Sequence, residues 1–247
     1  MAGHSKWASI KHKKGANDAK RGQLFTKLIK EITVSAKLGG GDESTNPRLR
    51  TAVLKAREAN MPKDNIDRAI KKGIGGLDGV NYSELTYEGY GPGGVAILID
   101  TLTDNKNRTA AEVRSMLTKY GGNLGESGCV SYLFKKKGLI TFDSAKYKED
   151  DILETALEAG ADDITTHGET IEVMTSPENY MKVLDAFTKA GFEKQMSDVS
   201  NLPDTTVTLD EEKTEKALKL IEKLEELDDV QSVSANLEIP DNFELKD

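Results

Sequence analysis

The chain has 247 residues, 37% of them hydrophobic and 31% charged, which fits two or three soluble domains and excludes a disordered chain. No stretch approaches the ~20 apolar residues of a membrane span, and a single cysteine, Cys129, excludes intrachain disulfides and points to a reducing compartment. The net charge of -8 argues against a nucleic-acid partner, but only as a whole-chain figure.

Residues 1–72 hold 17 Lys+Arg against 7 Asp+Glu, a net of +10, whereas residues 73–247 hold 17 against 35, a net of -18. Such asymmetry signals a polyanionic partner for the basic segment. The plainer alternative is that the basic segment docks onto the acidic remainder of its own chain.

Residues 1–15 carry Lys6, Lys11, Lys13 and Lys14 and no acid. With no apolar core and no arginine before Arg21, they read as a basic arm of the mature protein and not as a signal or transit peptide. From Ala16 to Leu38 the periodicity is helical: Leu24, Phe25, Leu28, Ile29, Ile32 and Ala36 share one arc, with Lys20, Lys27, Lys30 and Lys37 opposite. Gly39-Gly40-Gly41 stops this helix. A second helix begins at Asn46-Pro47, with Leu49, Ala52, Val53 and Ala56 inward and Arg48, Arg50, Lys55 and Arg57 flanking. A third follows Met61-Pro62, with Ile66, Ala69 and Ile70 inward and Lys63, Arg68, Lys71 and Lys72 outside. Together they make a small helical bundle.

Glycines at 73, 75, 76 and 79 mark a linker, after which acid replaces base and β-branched runs appear. Strands are expected at Leu85–Tyr90 and Val95–Leu102, a helix at Thr109–Tyr120, a strand at Val130–Phe134 and a turn at Lys135–Gly138. Residues 138–200 then give a β-α-β-β-α-β order: Leu139–Phe142, Asp150–Ala159, Asp163–Thr166, Thr170–Thr175, Pro177–Ala190 and Phe192–Val199. This is the ferredoxin-like pattern. A tail of strand Thr205–Leu209, helix Glu211–Leu227 and strand Val230–Leu237 follows. The expected fold class is α+β multidomain, with residues 1–78 a basic arm and helical domain. Residues 79–134 plus 203–240 form one α/β domain, and 135–202 a ferredoxin-like α/β domain inserted in it.

The glycine run Gly89–Gly94 precedes a strand and lacks a Gly-Lys-Ser/Thr, so it reads as a hairpin and not a phosphate loop. Gly121-Gly122-Asn123-Leu124-Gly125 reads as a helix stop with a connecting loop, and Asp162-Asp163 and Asp228-Asp229 as turns. His4, His12 and His167 have no metal-site spacing, and no nucleophile elbow occurs. No catalytic residue, metal, cofactor, small-molecule substrate or membrane is expected. The ferredoxin-like strand Thr170–Thr175 has no aromatic to stack a base and carries Glu172, so that unit reads as a scaffold or a protein-binding surface.

The basic segment is the remaining candidate site, because nucleic-acid affinity comes largely from phosphate neutralisation. Its expected contacts are Lys6, Lys11, His12, Lys13 and Lys14 in the arm and Lys20, Arg21 and Lys27 on the first helix. Arg48, Arg50 and Lys63 follow on the next two. Trp7 is equally a base-stacking residue or an anchor for the arm. Lys106 and Arg108, in the loop Thr103–Thr109, extend the footprint, or that loop simply caps a helix through Asn107 or Asp104.

Gly3-His4-Ser5-Lys6-Trp7 with Ile10-Lys11-His12-Lys13-Lys14 closely resembles the opening of the YebC/PmpR family of probable transcriptional regulatory proteins. Phe25–Leu28, Asn46–Arg50, Asn60–Ile66 and Asp104–Thr109 also match, and the resemblance runs from residue 3 to about 240. Asp42-Glu43-Ser44 departs where relatives commonly have Asp-Pro, and Cys129 where a serine is usual. The resemblance implies a helical domain before two α/β domains, one inserted in the other, in a non-enzymatic, cytoplasmic bacterial protein that binds DNA and regulates transcription. The same family suggests a second class, ribosome-associated translation factors and translational activators that bind ribosomal RNA. A third reading is a protein-interaction module that binds no nucleic acid. A monomer is expected, and the absence of a leader before the motif favours a bacterial protein over an organellar precursor. No helix-turn-helix with a polar recognition helix is evident.

Overall fold

The computed structural model describes residues 18–75, 82–240 and Phe243. Three helices come first: α1 (Asp18–Gly39), α2 (Pro47–Glu58) and α3 (Lys63–Ile74). Their apolar stripes meet in one core, in which Leu28, Ile32 and Ala36 of α1 face Leu49, Val53 and Ala56 of α2 and Ile66 and Ala69 of α3. Leu24, expected on that arc, is exposed one turn before the core begins. Gly40, at φ +84°, ends α1. Asn46 joins the first two helices: its Oδ1 accepts the Leu49 N–H at 3.1 Å, and its Nδ2 donates to the carbonyls of Ser35 and Gly40, both at 2.8 Å. The cap that starts α2 thus also ties down two carbonyls at the end of α1, those of Ser35 and Gly40. Where α3 crosses α1, a Cβ on Gly73 would stand 2.3 Å from the Thr33 carbonyl oxygen, so glycine permits the close approach.

The next unit is β1 (Ser83–Tyr90), β2 (Ala96–Thr103), α4 (Lys106–Lys119) and β3 (Asn123–Leu124). After a long excursion the chain returns with β8 (Val207–Thr208), α7 (Glu211–Glu225), β9 (Val230–Ala235) and β10 (Leu237–Glu238). The antiparallel sheet runs β3-β1-β2-β9, and β8 and β10 form a short parallel pair. Val95, Ile97 and Ile99 pack beneath Val113 and Leu117 of α4 and Leu218, Ile221 and Leu224 of α7. Gly89–Gly94 closes the β1–β2 hairpin through a 3-10 turn at Pro92–Gly94, as its lack of a following helix predicts.

The excursion comprises β4 (Phe134–Asp143), α5 (Glu149–Ala159), β5 (Asp163–His167), β6 (Thr170–Thr175), α6 (Tyr180–Lys189) and β7 (Met196–Pro203). Its sheet order is β5-β6-β4-β7, antiparallel throughout, with both helices over one face: the ferredoxin-like arrangement. The protein is therefore α+β, with a helical unit and two sheet units.

Several local expectations are corrected. Residues 130–133 form no strand; Ser131–Leu133 is a 3-10 turn, because the N–H groups of Val130 and Ser131 donate to the Glu88 carboxylate, both at 2.7 Å, and are lost to any ladder. Lys135–Lys137 is not a turn but part of β4, paired with Leu202, Asn201 and Ser200. The last strand of that sheet starts at Met196 instead of Phe192, whose ring is taken up by an aromatic cluster with Phe142, Tyr147 and Phe187. Asn123–Leu124 adds a short edge strand that reads as loop in sequence. The tail strand Val230–Leu237 breaks at Asn236, whose Oδ1 accepts the Ala96 N–H at 2.8 Å.

Candidate nucleic-acid interface

The arm residues Lys6, Trp7, Lys11, His12, Lys13 and Lys14 lie outside the described residues, and Lys20 is described only in its backbone. Arg21 is exposed near the start of α1, its guanidinium 5.3 Å from the Phe25 ring centroid.

The lysine face of α1 does not point wholly to solvent. Lys27 and Lys30, at i and i+3 on one side of the helix, meet the end of α7 and the turn before β9. Lys27 Nζ donates to the Glu225 carbonyl, at the negative end of the α7 dipole. Lys30 Nζ donates to the Asp228 carbonyl at 3.1 Å and to Asp229 Oδ1 at 2.8 Å.

Asp229 itself is only 2% exposed. Its Oδ2 accepts from Arg108 Nη2 at 2.6 Å, Thr109 Oγ1 at 2.8 Å and Thr103 Oγ1 at 3.0 Å. Burial works to raise its pKa, but the hydrogen bonds from Arg108, Lys30 and Thr109 outweigh it and hold the carboxyl far below the usual carboxylate range. The Asp228-Asp229 pair lies in a turn, as expected, and does more than turn the chain. Its second member ties α1, α4 and β9 together. The helix it touches starts earlier than its sequence suggests, and the cap is Asn105, whose Oδ1 accepts the Arg108 N–H at 3.1 Å; Asn107 and Asp104 do not cap it. Arg108 reaches Asp104 as well, at 2.7 Å, so two acids hold its charge, while Lys106 is exposed beside it.

The α2 cations are also engaged. Arg48 forms a bidentate pair with Glu31, at 2.7 and 3.0 Å, and reaches Glu84 on β1 at 2.6 Å. Lys55 pairs with Asp198 of β7, and Glu58 receives Lys194 at 2.5 Å. Arg50 lines an open groove of about 810 Å³ between α2, α5 and α6, and its buried Nε has no hydrogen-bond partner among the described residues. The groove's charges are mixed, with Glu158, Glu178 and Asp185 against Lys182 and Lys189. That mixture makes a poor track for a polyanion.

Helix α3 is different. Lys63, Arg68, Lys71 and Lys72 are all exposed, and none forms an ion pair among the described residues. Only Lys63 belongs to the expected footprint. Arg68, Lys71 and Lys72 read as exterior in sequence but not as contacts, although their outward spacing was the available signal. Among the described residues no cluster of His, Cys, Asp and Glu fits a metal ion, and no helix is long and apolar enough to cross a membrane.

Comparison with known proteins adds an independent line. The family signature "TACO1/YebC protein N-terminal domain" matches residues 5–76, and "TACO1/YebC second and third domain" matches residues 82–237. A "probable transcriptional regulatory protein" of Treponema denticola is 64% identical over 245 residues, covering 99% of each chain. One of the same name from Geotalea uraniireducens is 58% identical, covering 97% of this chain and 96% of its own. The crystal structure of a conserved hypothetical protein from Aquifex aeolicus superposes with a TM-score of 0.82 at 50% identity, over 93% of this chain and 95% of that one.

Proposed function

We propose, from the premise that the chain belongs to the TACO1/YebC family, that it is a non-enzymatic, cytoplasmic regulator of gene expression that grips a nucleic-acid backbone. The names of its relatives speak for regulation of transcription, hence DNA as the ligand. The observation that carries the binding surface is the basic face of α3, whose Lys63, Arg68, Lys71 and Lys72 form no ion pair among the described residues and are part of the +10 of residues 1–72. Exposed ammonium and guanidinium groups that form no ion pair among the described residues, with Asp64 and Asp67 beside them, release counterions when they meet phosphate, and this supplies affinity without sequence information. Lys6, Lys11, Lys13 and Lys14 are proposed as further phosphate contacts, with Trp7 as a stacking residue.

A second reading is favoured by the chemistry of the same face. Its exposed charged side chains are Lys63, Asp64, Arg68, Lys71 and Lys72, with no exposed Asn or Gln among them to read an adenine edge. Sequence-tolerant backbone binding suits structured RNA such as that of the ribosome as well as it suits a promoter. The acidic sheet units remain the surface proposed for a protein partner.

The test is fluorescence anisotropy with a labelled DNA duplex and a labelled ribosomal-RNA stem of equal length, titrated over salt. Changing Lys63, Arg68 and Lys72 together to Glu is expected to weaken binding at least tenfold and to lower the salt slope by roughly three. A variant with unchanged affinity and slope removes α3 from the interface. Preference for one promoter sequence over scrambled duplex supports the transcriptional reading, and tighter binding to the RNA stem supports the translational one.

A further inference from the structure

The cations of α1 and α2 that face the rest of the chain share a property that α3 lacks: each is met by an acid or a carbonyl from a different structural unit. Lys27 meets the Glu225 carbonyl, Lys30 meets Asp229, Arg48 meets Glu84, and Lys55 meets Asp198. These partners belong to both sheet units, from β1, β7 and the α7–β9 turn.

We infer that this α1–α2 face, carrying Lys27, Lys30, Arg48 and Lys55, is a second polyanion-binding surface, masked in the docked form by the chain's own acids. It rests on the reading of the preceding subsection that the helical unit binds phosphate. Carboxylates and carbonyls stand where phosphate oxygens stand in a complex, so internal docking and nucleic-acid binding compete for the same four cations.

Three observations make the docked form releasable. The three helices pack most closely on one another, and the joint to the sheet units includes the ion pairs Lys30–Asp229, Arg48–Glu84, Lys55–Asp198 and Glu58–Lys194, with Leu54 of α2 reaching the core of the second sheet unit. Polar joints between units of one chain permit relative motion. Next, the pairs of Arg48 with Glu84 and of Lys55 with Asp198 are half-exposed, and such pairs are weak individually. Finally, opening leaves no buried acid alone. When Lys30 withdraws, Asp229 keeps Arg108, Thr103 and Thr109, all of its own sheet unit. Likewise Arg48 keeps Glu31, its neighbour within the helical unit. The penalty that follows removal of the sole partner of a buried charge is therefore avoided. A ligand that contacts the four cations only in the open form draws the equilibrium toward it.

The experiment uses the full chain and the double variant Glu84→Gln/Asp198→Asn, which removes the sheet-unit acids that meet Arg48 and Lys55, leaves Arg48 its Glu31, and removes no cation. A control, Glu212→Gln/Glu215→Gln on α7, makes the same charge change about 15–20 Å of helix away from Glu225. Anisotropy against a fluorescein-labelled 20-base-pair duplex at physiological salt is combined with amide hydrogen exchange of α1 and α2. The expected result is a three- to tenfold gain in affinity over the control, with faster exchange at the buried face of α1 without ligand. A gain no larger than the control's overturns the masked surface, and a gain without faster exchange overturns undocking as its cause. If no variant binds the duplex or a 20-base single-stranded RNA, the nucleic-acid reading itself fails. Faster exchange of α1 at 0.5 M than at 0.05 M NaCl then still reports whether the joint opens, and equal exchange overturns that too.

Discussion

Glu88 is an acid buried within a sheet, and what it holds is a loop. Its carboxylate accepts the N–H groups of Gly128, Val130 and Ser131, each at 2.7 Å. Burial works to raise its pKa, but those backbone donors outweigh it and leave the pKa below the ordinary glutamate value. A carboxyl lowered in the folded state contributes stability above its unfolded pKa of about 4.3, and that contribution is lost as pH falls through the folded value. Glu88→Gln, with one acceptor oxygen in place of two, is expected to cost about 1–3 kcal/mol in urea unfolding at pH 7. The difference should shrink as pH falls below the unfolded value and through the lowered folded one. A difference that stays constant with pH would show that shape, and not charge, holds the loop. Neither Glu88 nor Asp229 was legible as a structural anchor, because an acid's partners lie far off in the chain: Lys30 and Arg108 stand 199 and 121 residues from Asp229. Sequence spacing reports local partners only.

At the scale of elements, periodicity carried most of the reading. The three basic helices, the hairpin, and the order and antiparallel pairing of the ferredoxin-like unit follow from stripes of 3.6 and 2 residues. The errors gather where a long-range contact overrides a local signal. Lys135–Lys137 looks like a polar turn, yet it runs along β7 because β4 extends past the end of β6, leaving those lysines on a solvated stretch of strand. Phe192 looks like strand, yet its ring completes a cluster. Close approach of backbones is equally hidden: Gly73 resembles a linker glycine but closes the α1–α3 crossing. Gly73→Ala is therefore expected to destabilise the chain by about 1–3 kcal/mol, since its Cβ has nowhere to go. Gly22→Ala on α1, where nothing lies within 4 Å of the new methyl, is expected to stabilise by about 0.5–1 kcal/mol through helix propensity alone. Thermal unfolding of the two single variants separates them by sign, and a neutral Gly73→Ala would mean the crossing yields.

For the whole molecule, the division of charge has a consequence that depends on ionic strength. At about 0.15 M salt the Debye length is about 8 Å, so acids further than that from a phosphate held at α3 are largely screened from it. Affinity should then follow the local cations, giving a linear fall of log K with log salt on a duplex. Near 0.01 M the screening length reaches about 30 Å, and the -18 of residues 73–247 acts on the same ligand. Repulsion from that body then opposes further gain, so the plot should bend below its linear extrapolation at low salt. Glu212→Gln/Glu215→Gln removes part of that repulsion and is expected to lessen the bend while leaving the slope between 0.1 and 0.3 M unchanged. Anisotropy titrations across this range decide it. A line that stays straight to 0.01 M would mean that the acidic units are held well away from the ligand, with the basic segment acting as an isolated polycation.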